Sequence, residues 1–280
     1  MTLAIDREAE PLLRVNGAGR DFAGRGWGAS GIFRAVDDVN LQVWRGETLG
    51  IVGESGSGKS TLGRMIAGLL TPTRGQVLLY GDDIHGGSGA RKRGVWRRMQ
   101  MVFQDPYSSL NPRMTVRDAL LEPMRNFGVA RGQAAEDSAR RLLDACGLPS
   151  RSLDLYPREF SGGQRQRIGI ARALAVQPEL IVADEPVSAL DVSVQAQVIN
   201  LMMDLQAEFR LTYIFIAHDL AVVRQIADRV GVMHKGCMVE LAAGEALFAS
   251  PSHAYTKTLL ASSPVADPKR ARQQLEGALA

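Results

Sequence analysis

The sequence predicts an α/β fold whose central sheet is largely parallel. Short runs of β-branched and apolar residues, typical of buried strands, alternate along the chain with stretches of helical periodicity. The 280 residues are 45% hydrophobic and 22% charged, an ordinary globular balance. A chain of this length is sufficient for one sizeable core with a smaller inserted unit.

The predicted elements follow in chain order. Apolar runs predict strands at residues 39–43, 48–52, 76–79, 99–103, 180–183, 212–217 and 230–234. Helical spacing predicts helices at residues 59–69, 136–146, 163–176, 192–209 and, briefly, 255–261. The glycine-rich segment 17–31 is expected to form a loop with a strand nearby. Residues 105–178 lack strong strand signals, so we expect a helical insert there.

Charge and cysteine content exclude several classes of function. Lys and Arg number 33 against 30 Asp and Glu, a net charge of +3 that does not indicate nucleic-acid binding. Two cysteines are too few for a disulfide framework or a metal cage. The first ten residues lack the apolar segment of a signal peptide, and 18 consecutive apolar residues occur nowhere. We therefore expect a cytoplasmic chain, unless a partner holds it at a membrane. A basic cluster at residues 91–98 is expected to be a loop or an exposed face.

The strongest chemical motif is GESGSGKST at residues 53–61, which fits the phosphate-binding pattern G-x-x-x-x-G-K-[ST]. A predicted strand precedes it and a predicted helix follows it. Glycines let backbone N–H groups wrap around phosphate oxygens, Lys59 supplies positive charge, and the Ser60 hydroxyl is a hard ligand for Mg²⁺. The predicted phosphate-binding residues are Gly53, Glu54, Ser55, Gly56, Ser57, Gly58, Lys59, Ser60 and Thr61.

A second motif, LIVADE at residues 180–185, is a buried strand that ends in two carboxylates. Asp184 is predicted to bind Mg²⁺, directly or through water. Glu185 is predicted to orient or deprotonate the attacking water. Alone, such a run is more typical of a strand with a solvated acidic turn, and its pairing with the phosphate loop favours the catalytic interpretation.

A third motif, SGGQ at residues 161–164, opens a predicted helix and so offers a second anion site. A bare S-G-G would be an ordinary helix cap. Taken alone, Gln104 could be a polar strand end, and His218 could be a capping or core histidine. The order and spacing of the motifs favour functional roles.

Together these residues resemble the ATPases of the ABC transporter family. SGGQ is similar to the signature motif, Gln104 to the Q-loop glutamine, SALD at residues 188–191 to the D-loop, and His218 to the switch histidine. The resemblance implies a P-loop (RecA-like) core with an antiparallel edge subdomain and an inserted helical subdomain. It implies nucleotide contacts by Ser161, Gly163 and Asp191, a third metal contact by Gln104, and catalysis by Glu185, His218 and Gln104. Phe22 resembles the aromatic residue that stacks on adenine, with Phe33 and Trp27 as rivals.

The implied domains are residues 1–104 with 179–250 as the ATP-binding core, 105–178 as the helical signature subdomain and 251–280 as a C-terminal extension. QDPYSSLNPRMTV (residues 104–116), ALDVSVQAQVINLM (189–202) and SPSHAYTKTLLASSP (250–264) resemble the branch that imports oligopeptides, dipeptides or nickel. This branch implies ATP and Mg²⁺ as cofactors and import of peptides, with nickel or another solute as the alternative.

The implied partners are transmembrane permease subunits, a second ATPase subunit (a copy or a paralogue) and, indirectly, an extracytoplasmic solute-binding protein. The implied location is the cytoplasmic face of the inner membrane, as a peripheral subunit. An exporter, a soluble ABC protein of translation or DNA repair, and a scaffold that binds ATP without hydrolysing it are competing hypotheses. A single phosphate loop, together with both Glu185 and His218, disfavours the last two.

Overall fold

The computed structural model describes residues 5–23, 31–87 and 89–262. Within these ranges the strands are β1 (Leu13–Ala23), β2 (Ile32–Val43), β3 (Thr48–Val52), β4 (Arg74–Leu79), β5 (Asp82–Asp83), β6 (Met99–Val102), β7 (Leu180–Asp184), β8 (Thr212–Ile216), β9 (Arg229–His234) and β10 (Cys237–Ala243). The α-helices are α1 (Lys59–Ile66), α2 (Gly89–Arg98), α3 (Pro106–Ser109), α4 (Val116–Asn126), α5 (Gly132–Ala145), α6 (Gly162–Leu174), α7 (Val192–Phe209), α8 (Leu220–Ile226), α9 (Gly244–Ala249) and α10 (Ala254–Ser262). Short 3₁₀ turns lie at Ser150–Asp154 and Pro157–Glu159.

The central sheet has six strands in the order β10-β9-β3-β8-β7-β6. The strands from β9 to β6 are parallel, and only the edge strand β10 runs antiparallel to its neighbour. The register aligns Ile51 with Ile216 and Asp184 with Ile216, so the carboxyl ends of β3, β8 and β7 meet at one edge. The predicted α/β class with a parallel central sheet is confirmed, and this edge is where such sheets bind ligands.

A second sheet, antiparallel, has the order β2-β1-β4-β5. Residues 17–23, which the glycine content predicted as part of a loop, belong to β1. Gly17 has φ +57° where the pairing of β1 with β2 shifts register, between Val15 and Ala18. A bulge at a glycine lets the strand stay paired despite its composition.

The central sheet separates two apolar cores, because alternate side chains of a strand point to opposite faces. In β7 and β8, Ile181 and Phe215 face the core that holds the α6, α7 and α8 side chains. Val182 and Ile214 face the core formed with α1 and the antiparallel sheet. The phosphate-loop helix α1 therefore lies between the two sheets.

Four α-helices, α3 to α6, connect β6 to β7, as the lack of strand signals predicted. Their own buried residues, among them Leu120, Met124 and Leu143, pack into the first core. Helix α7 has the bounds that its apolar spacing predicted. Strands β5 and β10 and helices α2, α8 and α9 were not predicted. In α2 only Val95 is buried, so the basic cluster lies on an exposed helix.

Candidate active site

The loop between β3 and α1 is seated tightly against β2 and β9. Gly53 and Gly58 have φ of +152° and +103°, values that L side chains rarely adopt. A Cβ at Gly53 would lie 2.2 Å from the carbonyl oxygen of Met233, and one at Gly58 would lie 2.3 Å from that of Ala35. Both positions therefore require glycine, which fixes the path of the phosphate loop.

Lys59 closes this loop from inside. Its Nζ donates hydrogen bonds to the carbonyl oxygens of Gly53 (2.7 Å) and Glu54 (2.8 Å), and the residue is only 4% exposed. Burial lowers the pKa of the Lys59 ammonium, whereas the nearby Glu185 and Asp184 carboxylates raise it. The positive charge is thus held at the N-terminus of α1, where an anion is also favoured by the helix dipole.

Ser60 and Asp184 meet at the carboxyl edge of the central sheet. The Ser60 hydroxyl donates a 2.8 Å hydrogen bond to Asp184 Oδ1, although the two residues are 124 positions apart. Burial raises the pKa of Asp184, and the hydrogen bond from Ser60 opposes that rise. A hydroxyl beside a carboxylate is an all-oxygen donor pair of the kind that Mg²⁺ accepts with water and phosphate as its other ligands.

Glu185 and His218 lie beside this pair, at the ends of β7 and β8. The Glu185 backbone has φ +49°, a left-handed conformation that is uncommon outside glycine, and its N–H donates to the Ile216 carbonyl at 2.9 Å. Glu185 Oε2 lies 3.4 Å from His218 Nδ1. The Glu185 carboxylate thus lies beside the imidazole of His218.

Gln104 follows β6 at the same edge of the sheet. Val102 is paired with Ala183 in parallel register, so the segment that carries Gln104 leaves β6 at the edge where Glu185 leaves β7. Its side chain is exposed. A hydrogen bond from Gln166 to the Phe103 carbonyl (3.4 Å) ties α6 to this segment. The metal and catalytic roles of Gln104 stay predictions.

The signature residues form a separate group at the start of α6. Ser161 caps the helix: its hydroxyl accepts from the Gln164 N–H (3.3 Å), and its own N–H donates to the Gln164 side chain (3.0 Å). Gly163 lies against α7, where a Cβ would come within 2.3 Å of a Val194 methyl group. Asp191 is the N-terminal residue flanking α7 and is exposed. Ser161 and the buried Gly163 thus lie beside the D-loop.

Two of the candidate adenine-stacking residues face each other across β1 and β2. Phe22 pairs with Phe33, and their side chains are 36% and 61% exposed. Paired residues of antiparallel strands point to the same face, and Ala35, two residues further, touches the phosphate loop. Trp27, the third candidate, lies outside the described residues. The Arg20 guanidinium lies over the Phe22 ring, 4.8 Å from its centre, and Phe33 is the more exposed of the two.

Two contacts to the phosphate loop were missed from the sequence. The Gly236 N–H, in the turn between β9 and β10, donates to the Ser57 carbonyl at 3.0 Å. The Tyr255 hydroxyl, in α10, accepts from the Glu54 N–H at 3.2 Å. Glu54 and Tyr255 are 201 residues apart, and no periodicity or spacing indicates which element a short terminal helix touches.

The site has a phosphate loop at the carboxyl edge of a parallel sheet, a serine–aspartate pair and a glutamate–histidine pair beside it. This combination defines a P-loop nucleotide hydrolase. Residues 36–188 match the family model described as ABC transporter. The chain belongs to the ABC transporter family, as an ATPase subunit.

Similar proteins extend this match over most of the chain. The oligopeptide transport ATP-binding protein OppF of Bacillus subtilis (strain 168) is 53% identical over 247 residues, which are 88% of this chain and 81% of OppF. The probable peptide ABC transporter ATP-binding protein y4tS of Sinorhizobium fredii is 52% identical over 274 residues, 96% of this chain and 78% of y4tS.

Solved structures are similar in fold. The cassette MJ0796, in a dimeric post-hydrolysis state bound to ADP and Pi, superposes with a TM-score of 0.73 at 29% identity, covering 82% of this chain and 98% of that one. The protein cbiO1 of Clostridium perfringens, part of the ABC transporter complex cbiONQ, gives a TM-score of 0.74 at 25% identity, covering 86% and 92%. The predicted ABC ATPase fold is confirmed.

Proposed function

We propose that this chain hydrolyses ATP to drive the import of oligopeptides or dipeptides through a membrane permease. The observation that carries the proposal is the joining of Ser60 to Asp184, and of Glu185 to His218, at one edge of the central sheet. The choice of solute is supported by OppF and y4tS, relatives at 53% and 52% identity that are named for peptide transport.

The phosphate chain of ATP would lie in the loop of residues 53–61, with Lys59 facing the β- and γ-phosphates. Ser60 and Asp184 would hold Mg²⁺, with the side-chain oxygen of Gln104 as a further donor. The metal, when bound, supplies positive charge that offsets the charge of the phosphate oxygens. The base would stack on Phe22, with Phe33 as the alternative.

Glu185 would accept a proton from the water that attacks the γ-phosphate. Asp184 contacts Ser60 whereas Glu185 contacts His218, so one carboxylate would serve the metal and the other the water. His218, 3.4 Å away, would hold the Glu185 carboxylate and the attacked phosphate in place. Glu185 and His218 follow buried strands, which fix where their backbones start.

A second ATPase subunit, a copy or a paralogue, would complete the nucleotide site. Gly162 and Gly163, beside Ser161, pack against Leu190 and Val194 on either side of Asp191. Val192, next to Asp191, is 82% exposed on this surface. We infer that this surface faces the phosphate loop of the other subunit. The positive end of α6 would then approach the γ-phosphate.

If ATP hydrolysis is coupled to transport, each part of the chain has a proposed role. Residues 1–104 and 179–250 would bind ATP, the helical unit 105–178 would contact the permease, and residues 251–280 would form a C-terminal extension. None of the described helices has the length and apolarity that crossing a bilayer requires. In this proposal the permease would hold the chain at the cytoplasmic face of the inner membrane, and an extracytoplasmic solute-binding protein would act through that permease.

The test is uptake in a strain that lacks this chain, with labelled short peptides and labelled Ni²⁺ measured in parallel. We expect peptide uptake to be lost, to return with the native chain, and to stay absent with Glu185→Gln. Restoration by the mutant would refute hydrolysis as the driving step. Loss of Ni²⁺ uptake alone would replace the proposed solute, and unchanged uptake of both would refute the peptide assignment.

A further inference from the structure

Both polar groups of one peptide unit in the phosphate loop, its carbonyl and its N–H, form hydrogen bonds to side chains. The Gly53 carbonyl accepts a hydrogen bond from Lys59 Nζ at 2.7 Å. The N–H of the same peptide unit belongs to Glu54, and it donates to the Tyr255 hydroxyl at 3.2 Å. Because a peptide unit is a rigid plane, a rotation that breaks one of these hydrogen bonds also disturbs the other.

Tyr255 reaches the loop from a segment that is anchored to β10. We name residues 251–262, which include α10, the C-terminal strap. The Glu240 carboxylate in β10 accepts three hydrogen bonds from this strap: from the Ser252 N–H (2.8 Å), the Ser252 hydroxyl (2.8 Å) and the His253 N–H (3.0 Å). The ring of Tyr255 also packs on His234, with ring centres 3.9 Å apart. The position of the Tyr255 hydroxyl is thus set by two contacts: the attachment of the strap to Glu240 and the packing of the ring on His234.

The charge state of Glu240 favours this anchoring at neutral pH. Partial burial raises the pKa of the carboxyl, but the neighbouring Thr256 hydroxyl and the donors of Ser252 and His253 outweigh it and lower the pKa to about 2. Hydrogen bonds to an ionised acceptor are about twice as strong as those between neutral groups. The strap therefore has a firm attachment immediately before Tyr255.

We propose that Tyr255 is a positioning residue for nucleotide binding: its hydroxyl fixes the Gly53–Glu54 peptide and, through it, the ammonium of Lys59. The proposal rests on the nucleotide site at residues 53–61, and it is independent of the transported solute. It assigns to the C-terminal strap a contact with the ATP site that supports the shape of the phosphate loop before ATP arrives.

The position of the Gly53–Glu54 peptide determines whether loss of the Tyr255 hydroxyl should change the Kd for ATP or the kcat. It lies at the start of the phosphate loop, whereas Glu185 and His218 lie at the ends of β7 and β8. A preorganised loop binds its ligand more tightly because less conformational freedom is lost on binding. Removing the hydroxyl should therefore weaken ATP binding and leave the chemical step unchanged.

The deciding variant is Tyr255→Phe, which deletes only the hydroxyl and keeps the ring on His234. We expect the Kd and KM for ATP to rise about two- to tenfold, the range that one hydrogen bond represents, while kcat at saturating ATP changes by less than about twofold. Amide hydrogen exchange in residues 53–58 should become faster without nucleotide. Glu240→Gln should shift the Kd in the same direction by a smaller factor.

Thr258→Val is the matched control, because it removes a hydroxyl from the exposed side of α10 that bonds only within the helix, to the Ala254 carbonyl (3.2 Å). Its Kd should equal that of the native chain. Lys59→Ala shows separately whether ATP occupies this loop. With that established, an unchanged Kd in Tyr255→Phe, or an equal rise in Thr258→Val, would overturn the positioning role. A fall in kcat at constant KM would do so too.

Discussion

Replacing Glu185 by Gln tests the chemistry of the site most directly, because the exchange alters one atom and one charge. The amide keeps the shape of the side chain and can still contact His218, which lies 3.4 Å from the carboxylate. It cannot accept the proton of water. A positioned general base contributes about 10²- to 10⁴-fold to a rate, which is about 3–5.5 kcal/mol of barrier at about 1.4 kcal/mol for each factor of ten.

We therefore expect ATP turnover of Glu185→Gln to fall at least about a hundredfold. ATP binding should persist, because Lys59, Ser60 and Asp184 are untouched and one negative charge near the phosphates is removed. The variant should also hold an ATP-bound dimer that the native chain resolves by hydrolysis. Phosphate release, calorimetric titration with ATP and size-exclusion chromatography measure these three effects.

Glu208→Gln provides the control, since it makes the same exchange on an exposed position of α7. Its turnover should match that of the native chain. The catalytic role of Glu185 would be refuted if Glu185→Gln kept more than about a tenth of native turnover, or if the control lost as much. Loss of ATP binding in Glu185→Gln would instead indicate that the exchange damages the phosphate loop.

Three further results are expected. Lys59→Ala should weaken ATP binding. An unchanged Kd for ATP in calorimetry would contradict a role of the Lys59 ammonium in binding the phosphates. Gly58→Ala should abolish binding while the protein stays folded by circular dichroism, because its Cβ would lie 2.3 Å from the Ala35 carbonyl at φ +103°. Glu240 has a folded-state pKa lowered to about 2, so its contribution to stability is complete above the unfolded value of 4.5 and is lost as pH falls towards 2. The difference in urea unfolding free energy between the native chain and Glu240→Gln should therefore shrink over that interval, and a constant difference would exclude the linkage.

The helices and strands that were predicted correctly are those with a clear local pattern of apolar residues. Strand β3 and helix α7 have the bounds that apolar spacing predicted, because each buries one face or both against neighbours. The edge strand β10 was missed because its residues are mostly half-buried and show no continuous apolar run. Residues 17–23 were misassigned because a bulge allows glycine within a paired strand.

In the candidate site, too, contiguous motifs were predicted from the sequence and contacts between distant segments were not. The phosphate loop and the Asp184–Glu185 pair are contiguous motifs, so the sequence alone was enough to predict both of them. The Glu54–Tyr255 contact depends on how the chain returns to the loop after β10, and local pattern contains no information on that path. The sequence favoured Phe22 over Phe33 for the adenine stack, and that choice stays a prediction because the structure pairs the two on neighbouring strands.

The left-handed backbone of Glu185 has a consequence for engineering this enzyme. A non-glycine residue at φ +49° costs about 1–3 kcal/mol, which the surrounding strands must offset. Glycine at this position would relieve that cost and remove the carboxylate. A library selected only for heat resistance would therefore tend to enrich Glu185→Gly, and the survivors would bind nucleotide without turning it over. Selection for thermal tolerance of this chain must be coupled to a screen for phosphate release.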